Sequence, residues 1–90
     1  MEDEPIPLVL PELGVGDQPI QACTWLVNEG AEVSAGDRLL EVLAASATID
    51  LPAPVDGLLI EQSVAEGDTL HVGQVLGLIE PLALSSDDDI

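Results

Sequence analysis

The sequence predicts an all-β protein built from two packed antiparallel sheets, and three observations carry that expectation. The second half of the chain repeats the first. Glu29, Gly30, Gly36 and Leu39 recur as Glu66, Gly67, Gly73 and Leu76, at an offset of 37 residues in each case (66 − 29 for the first pair). Each repeat reads as short strands separated by glycine turns. The apolar runs are brief and broken by Gly, Pro or charge, without the length or capping of a helix. The chain also has no Phe and no Tyr, so its core has to be made from Leu, Val, Ile and Ala around one indole, Trp25. Such a core suits thin layers of short strands. About four strands per half, related by a pseudo-twofold axis, imply two four-stranded sheets.

The stretch from Glu41 to Gly57 is the hinge between the repeats. Its β-branched residues Thr48, Ile49 and Val55 favour strands, and the small residues Ala44 to Ala47 favour a tight turn. Pro52 and Pro54 forbid a helical ladder beyond Leu51. A hairpin with Ala45 and Ser46 at or near its tip follows.

Taken in order, Ile6 to Pro11 is an apolar strand bracketed by prolines, which confines it to a sheet edge or end. The loop Glu12 to Pro19 carries Leu13 and Val15 where a plain turn would be polar. Those side chains either pack under the loop, the simpler reading, or contact a partner. Ile20 to Val27 resumes a strand that Asn28-Glu29-Gly30 ends. In it Trp25 reads as a core or sheet-covering residue and Cys23 as an inert buried thiol. In each repeat a strand ends at Glu-Gly, Val33 or Leu70 points inward, and a second glycine reverses the chain. Gly57 to Val64 repeats Ile20 to Val27 at the same offset. Gly30, Gly36, Gly57, Gly67 and Gly73 are thus the structural turn positions, with positive φ expected at Gly30 and Gly67. His71 maps onto Ser34 and reads as a surface turn residue; the spacing of His71 and Cys23 predicts no metal site.

Eighteen acidic residues face a single basic one, Arg38, for a formal charge of −17; the chain therefore contains no lysine. That surface repels nucleic acid and anionic membranes and favours partners with basic patches. The expected organisation is an acidic disordered N-terminus over residues 1–5, one folded domain over 6–81 and an acidic flexible tail over 82–90. One cysteine makes no internal disulfide, and Met1-Glu2-Asp3-Glu4 has neither the basic nor the apolar part of a signal peptide. A reducing, cytoplasmic compartment is expected. No apolar run approaches the ~18 residues of a membrane span.

The order Leu10-Pro11-Glu12-Leu13-Gly14, Trp25 to Gly30, Gly36 to Val42, Ala47 to Gly57, Glu66-Gly67-Asp68 and Gly73 to Leu76 resembles the lipoyl domain of 2-oxo acid dehydrogenase acyltransferases, in the biotinyl/lipoyl-attachment family. The resemblance spans about residues 6 to 80. It implies a flattened eight-stranded β-barrel-sandwich with the Ala45-Ser46 hairpin as its exposed tip. It also implies protein partners of the 2-oxo acid dehydrogenase type, monomeric behaviour as an isolated domain, and no active site of its own. In that family the tip reads Asp-Lys-Ala, and a ligase joins lipoic acid to the lysine through an amide. The loop matching Leu13, Gly14, Val15 and Asp17 lies beside the modified turn and helps partner enzymes choose their carrier.

The departure falls at the tip. Aligned on Glu41-Val42 and Thr48-Ile49, the turn places Ala45, Ser46 and Ala47 at the family's Asp, Lys and Ala, and no other lysine exists to take that role. A serine hydroxyl without a neighbouring base is a weak nucleophile at neutral pH. Neither lipoate nor biotin is expected as a cofactor. Three functions are compatible with a scaffold of this kind to different degrees. A non-catalytic docking, structural or regulatory module fits best. The alternative is a swinging-arm carrier whose acceptor lysine has been changed to Ser46. An enzyme, or a carrier using Ser46 for another group, fits least: no helix follows Ser46, and the one histidine maps to a distant turn. The apolar tip, Leu43 to Ala47, is open to two readings, a contact surface or side chains folded inward.

Overall fold

The structure, a computed structural model, describes residues 4–81. Of the two end segments named above, residues 1–3 and 82–90 lie outside the described residues. Glycine and proline breaks divide the chain into eight strands: β1 (Ile6–Val9), β2 (Ile20–Trp25), β3 (Glu32–Val33), β4 (Arg38–Ala44), β5 (Ala47–Pro52), β6 (Gly57–Gln62), β7 (Thr69–Leu70) and β8 (Val75–Pro81). They form two four-stranded sheets, in the orders β1-β8-β6-β3 and β5-β4-β2-β7, and every pairing is antiparallel. No strand closes one sheet onto the other, so the sandwich is open rather than a closed barrel. β1 lies at an edge, where Pro7 leaves no ladder donor to satisfy on the open side.

The repeat in the sequence is a repeat in space. β2, β3 and β4 map onto β6, β7 and β8 residue for residue at the offset of 37. The bulge between Ala22 and Thr24 recurs between Leu59 and Glu61, and that between Leu8 and Val9 on β1–β8 recurs between Arg38 and Leu40 on β4–β5. The turn bonds recur too: Gly30 N–H donates to Leu59 O (2.6 Å) as Gly67 N–H donates to Ala22 O (2.7 Å). Gly30 and Gly67 take the positive φ expected of them, 91° and 95°. Near the axis, Trp25 Nε1–H donates to Val64 O at 3.0 Å, and its counterpart Gln62 Nε2–H donates to Val27 O at 2.9 Å.

The core is aliphatic. Leu39, Leu40, Val42, Leu59, Leu76 and Ile79 are fully buried, and Val33 and Leu70 point inward as expected; the described residues bury no polar or charged side chain. Burial of each such aliphatic side chain stabilises by about 1.5–3 kcal/mol.

Two sequence expectations need correction. Gly57 is not a turn glycine: it opens β6, is buried, and lies where a Cβ would collide with the Glu80 carbonyl oxygen and sit 2.8 Å from Ile79 Cγ2. Close approach of β8 explains the glycine there. Cys23 is half-buried rather than buried, because it is the extra residue of the β2 bulge and is turned away from the core side of its neighbours. Strand ends differ as well, since β2 stops at Trp25 and β6 at Gln62, each two residues early.

Candidate functional site

The β4–β5 hairpin is the one two-residue connection in the described fold. Ala44 pairs with Ala47, leaving Ala45 and Ser46 as the central turn residues. Ala45 has φ 57° and is the sole non-glycine with positive φ among the described residues. A positive φ at the first central position alone matches a type II′ hairpin turn, where glycine is usual. An L-residue with a Cβ there costs about 1–2 kcal/mol. Below the turn, Val42, Ala44 and Leu51 are buried, while Ala45, Ser46 and Ala47 are exposed. Of the two readings of the apolar tip, inward folding holds for Ala44; Leu43 is half-buried opposite Thr48.

The long loop between β1 and β2 ends at this turn. Residues 10–19 occupy the place that residues 53–56 occupy in the other half, so this side is six residues longer. Leu10 anchors the loop, donating to Gln74 O at 3.0 Å and accepting from Gly73 N–H at 2.8 Å. Gly14 N–H donates to Glu12 Oε2 at 3.0 Å, and Gln18 N–H to Val15 O at 3.1 Å, which shapes the middle. Leu13 and Val15 are half-buried against the core; Gly14 and Asp17 are exposed. At its end Pro19 O accepts from Ala45 N–H at 3.4 Å, which ties loop to tip. The structure thus joins the turn to the last residue of the loop, Pro19, while Leu13 and Val15 pack on the core and Asp17 lines a cleft with Thr69 and His71. The turn glycines Gly30, Gly36, Gly67 and Gly73 shape the body of the domain.

The hydroxyls of Thr24 and Ser63 donate to the carboxylates of Glu66 (2.9 Å) and Glu61 (3.0 Å), whereas Ser46 has no such partner among the described residues. The feature that sequence reasoning missed is a surface cleft of about 420 Å³ behind the loop, lined by Glu12, Asp17, Gln18, Thr69, His71 and Val72. His71 is exposed as expected, yet it faces the loop rather than standing alone; the six-residue difference between the two halves was the available signal. Among the described residues no three of His, Cys, Asp and Glu converge as a metal site, and no helix is long and apolar enough to cross a membrane.

Two four-stranded antiparallel sheets related by a pseudo-twofold, with one exposed two-residue hairpin and one long loop, define a small all-β sandwich module. The chain belongs to the biotin/lipoyl family: the family model described as "Biotin-requiring enzyme" matches residues 7–79. It is similar to the dihydrolipoyllysine-residue acetyltransferase component of the pyruvate dehydrogenase complex of Bacillus subtilis, at 36% identity over 74% of this chain and 15% of that protein. A second relative is the corresponding component of the acetoin cleaving system of Cupriavidus necator, at 32% identity over 89% of this chain and 21% of that protein. A third is the mitochondrial pyruvate dehydrogenase protein X component of Mus musculus, at 32% identity over 88% of this chain and 16% of that protein. The chain thus spans about a fifth or less of the length of these curated relatives. Among solved structures, the lipoyl domain of the 2-oxoglutarate dehydrogenase complex of Azotobacter vinelandii matches with a TM-score of 0.62 and 26% identity, over 90% of this chain and 99% of that one. The fold is that of a lipoyl domain, a carrier type of module rather than a catalytic one.

Proposed function

We propose that this chain is a lipoyl-type module that works without a covalent arm, as a docking, structural or regulatory element among proteins of the 2-oxo acid dehydrogenase type in a reducing, cytoplasmic compartment. One observation carries the reading: Ser46 stands at the tip of the exposed hairpin, and the sequence holds no lysine. Attachment of lipoate or biotin as an amide requires an amine nucleophile. The exposed turn offers two methyl side chains and a hydroxyl without a base, which do not fit that group. The residues around the tip are otherwise those of an intact turn, packed below and held to the loop by Ala45 N–H. This intact scaffold is also what a swinging-arm carrier with a replaced lysine would retain.

The test is the intact mass of the protein from its native cells, set beside Ser46→Lys treated with a lipoyl ligase, lipoate and ATP. The reading expects the bare calculated mass for the native protein. A native adduct mapped to Ser46 would overturn it. Lipoylation of Ser46→Lys would show that the tip is competent once an amine is supplied; no modification of that variant would place the loss of the carrier function in the surrounding turn as well.

A further inference from the structure

The outward face of the β1-β8-β6-β3 sheet is apolar where its symmetry mate is polar. Pro7 on β1 pairs with Leu78 on β8, and Val9 pairs with Val75. On β6, Ile60 is the extra residue of the bulge beside Leu78, and Leu58 lies one row further on. Val9, Ile60 and Val75 are 39%, 41% and 43% exposed, Pro7 is exposed, and Leu58 and Leu78 are half-buried. These side chains form a stripe across three strands. On the β5-β4-β2-β7 sheet the equivalent positions hold Asp50, Glu41, Pro52, Arg38, Cys23 and Gln21.

Carboxylates frame the stripe. Leu58 is flanked in its row by Glu32 on β3 and Glu80 on β8, and Leu78 by Glu61 on β6. Arg38, the one Lys or Arg in the chain, lies on the other sheet, so no ammonium or guanidinium group borders the stripe among the described residues; His71 stands in the turn that leads into β8. An apolar surface ringed by one sign of charge selects a partner of opposite sign, and repels a second copy of this chain as it repels an anionic membrane.

We propose that this face is a docking surface for a protein whose matching surface is apolar at its centre and rich in Lys or Arg at its margin. The proposal adds a surface to the docking reading above and rests on it only in taking the partner to be a protein. It places recognition on the sheet opposite the hairpin sheet.

The experiment introduces a photo-crosslinking residue in place of Ile60, Val75 or, on the other sheet, Gln21, in the protein made in its native cells. Mass spectrometry then reads the joined peptide. Positions 60 and 75 are expected to join one protein, at peptides in which Lys or Arg neighbours apolar residues, with yield at least about ten-fold above position 21. Glu32→Gln combined with Glu80→Gln, exposed changes that leave the core alone, should lower that yield several-fold. Equal yields at all three positions, a joined second copy of this chain, a joined lipid, or a joined peptide without basic residues would each overturn the proposal. A crosslinker at Ser46 that alone captures a protein would also overturn it, while leaving the docking reading standing; an adduct found on Ser46 by intact mass would sink that reading without touching this face.

Discussion

On β4 the outward row reads Arg38, Glu41, Leu43; on β8 the matching residues are Val75, Leu78 and Glu80. The bulges and glycine turns coincide, and Leu39 faces inward as Leu76 does, although Leu40 and Val42 stand where Gly77 and Ile79 do; the sharper contrast is in what each sheet shows its surroundings. The halves differ in two further places. A ten-residue loop in one replaces a four-residue link in the other, and the hairpin turn at Ala45-Ser46 stands where, in the other sheet, the chain enters at β1 and leaves at β8. Duplication explains the shared bulges and turns, while inward packing, constrained by total volume, trades side chains between the halves, with Leu40 against Gly77 and Ile20 against Gly57. Outer faces and connections are freer of that constraint, and there the halves differ most.

The strongest way to break the comparison is to cut the core at matched positions. Leu39→Ala and Leu76→Ala remove symmetry-related side chains that are both fully buried. Each is expected to cost about 2–5 kcal/mol in urea unfolding, and the two costs should agree within about 1 kcal/mol. A large inequality would mean that the halves share a backbone but not a mechanical role. Next in size is Gly57→Ala, whose counterpart is Ile20. The new methyl would meet the β8 backbone, which cannot yield as a side-chain tip does, and the expected loss is about 1–3 kcal/mol. Gly30→Ala and Gly67→Ala meet open space but hold a positive φ, so each should cost about 1 kcal/mol by the same measurement, again as a matched pair.

How much of this was legible beforehand divides along physical lines. The offset between Glu29-Gly30 and Glu66-Gly67 exposed the pseudo-twofold, and the turn chemistry of Pro52, Pro54 and the small residues exposed the hairpin, because both are local or periodic signals. Gly57 was misread as a turn glycine because its reason is the nearness of β8, a contact between residues far apart in sequence. Gly77 was not singled out for the same cause: a Cβ there would meet Glu61 O and lie 3.3 Å from the Trp25 ring, so the only aromatic side chain fills space that the glycine leaves. At the site, the turn residues Ala45 and Ser46 were located to the residue. The cleft containing His71 was not, since it arises only where the longer loop folds back against the turn after β7.

A smaller effect belongs to the turn itself. Ala45 is held in a region that glycine reaches without steric cost. Ala45→Gly should raise stability by up to about 1 kcal/mol, less whatever the freer unfolded chain takes back. A fall in stability would indicate that the added freedom of the unfolded chain outweighs the relieved backbone strain. In the other sheet the equivalent position falls between β8 and β1, which no turn joins, so no paired substitution exists there and the hairpin has to be judged alone.

The smallest expected effect separates the two outer faces electrostatically. The Arg38 guanidinium lies 3.4 Å from Asp50 Oδ2, and its side chain is 73% exposed, so the pair itself is worth about 0–1 kcal/mol. Its larger meaning is as the lone positive charge in a chain of net −17. Removing it by Arg38→Gln should lower the melting temperature at low ionic strength, where repulsion among Glu41, Asp50 and their neighbours acts over tens of ångströms. The loss should shrink at physiological salt, where the Debye length is about 8 Å. The unsubstituted protein should itself melt higher as salt is raised over that range, because screening relieves self-repulsion. A melting temperature that falls with added salt would show that attraction local to the Arg38–Asp50 pair outweighs the global charge. The polar face would then be held by a specific contact rather than tolerated by its solvent.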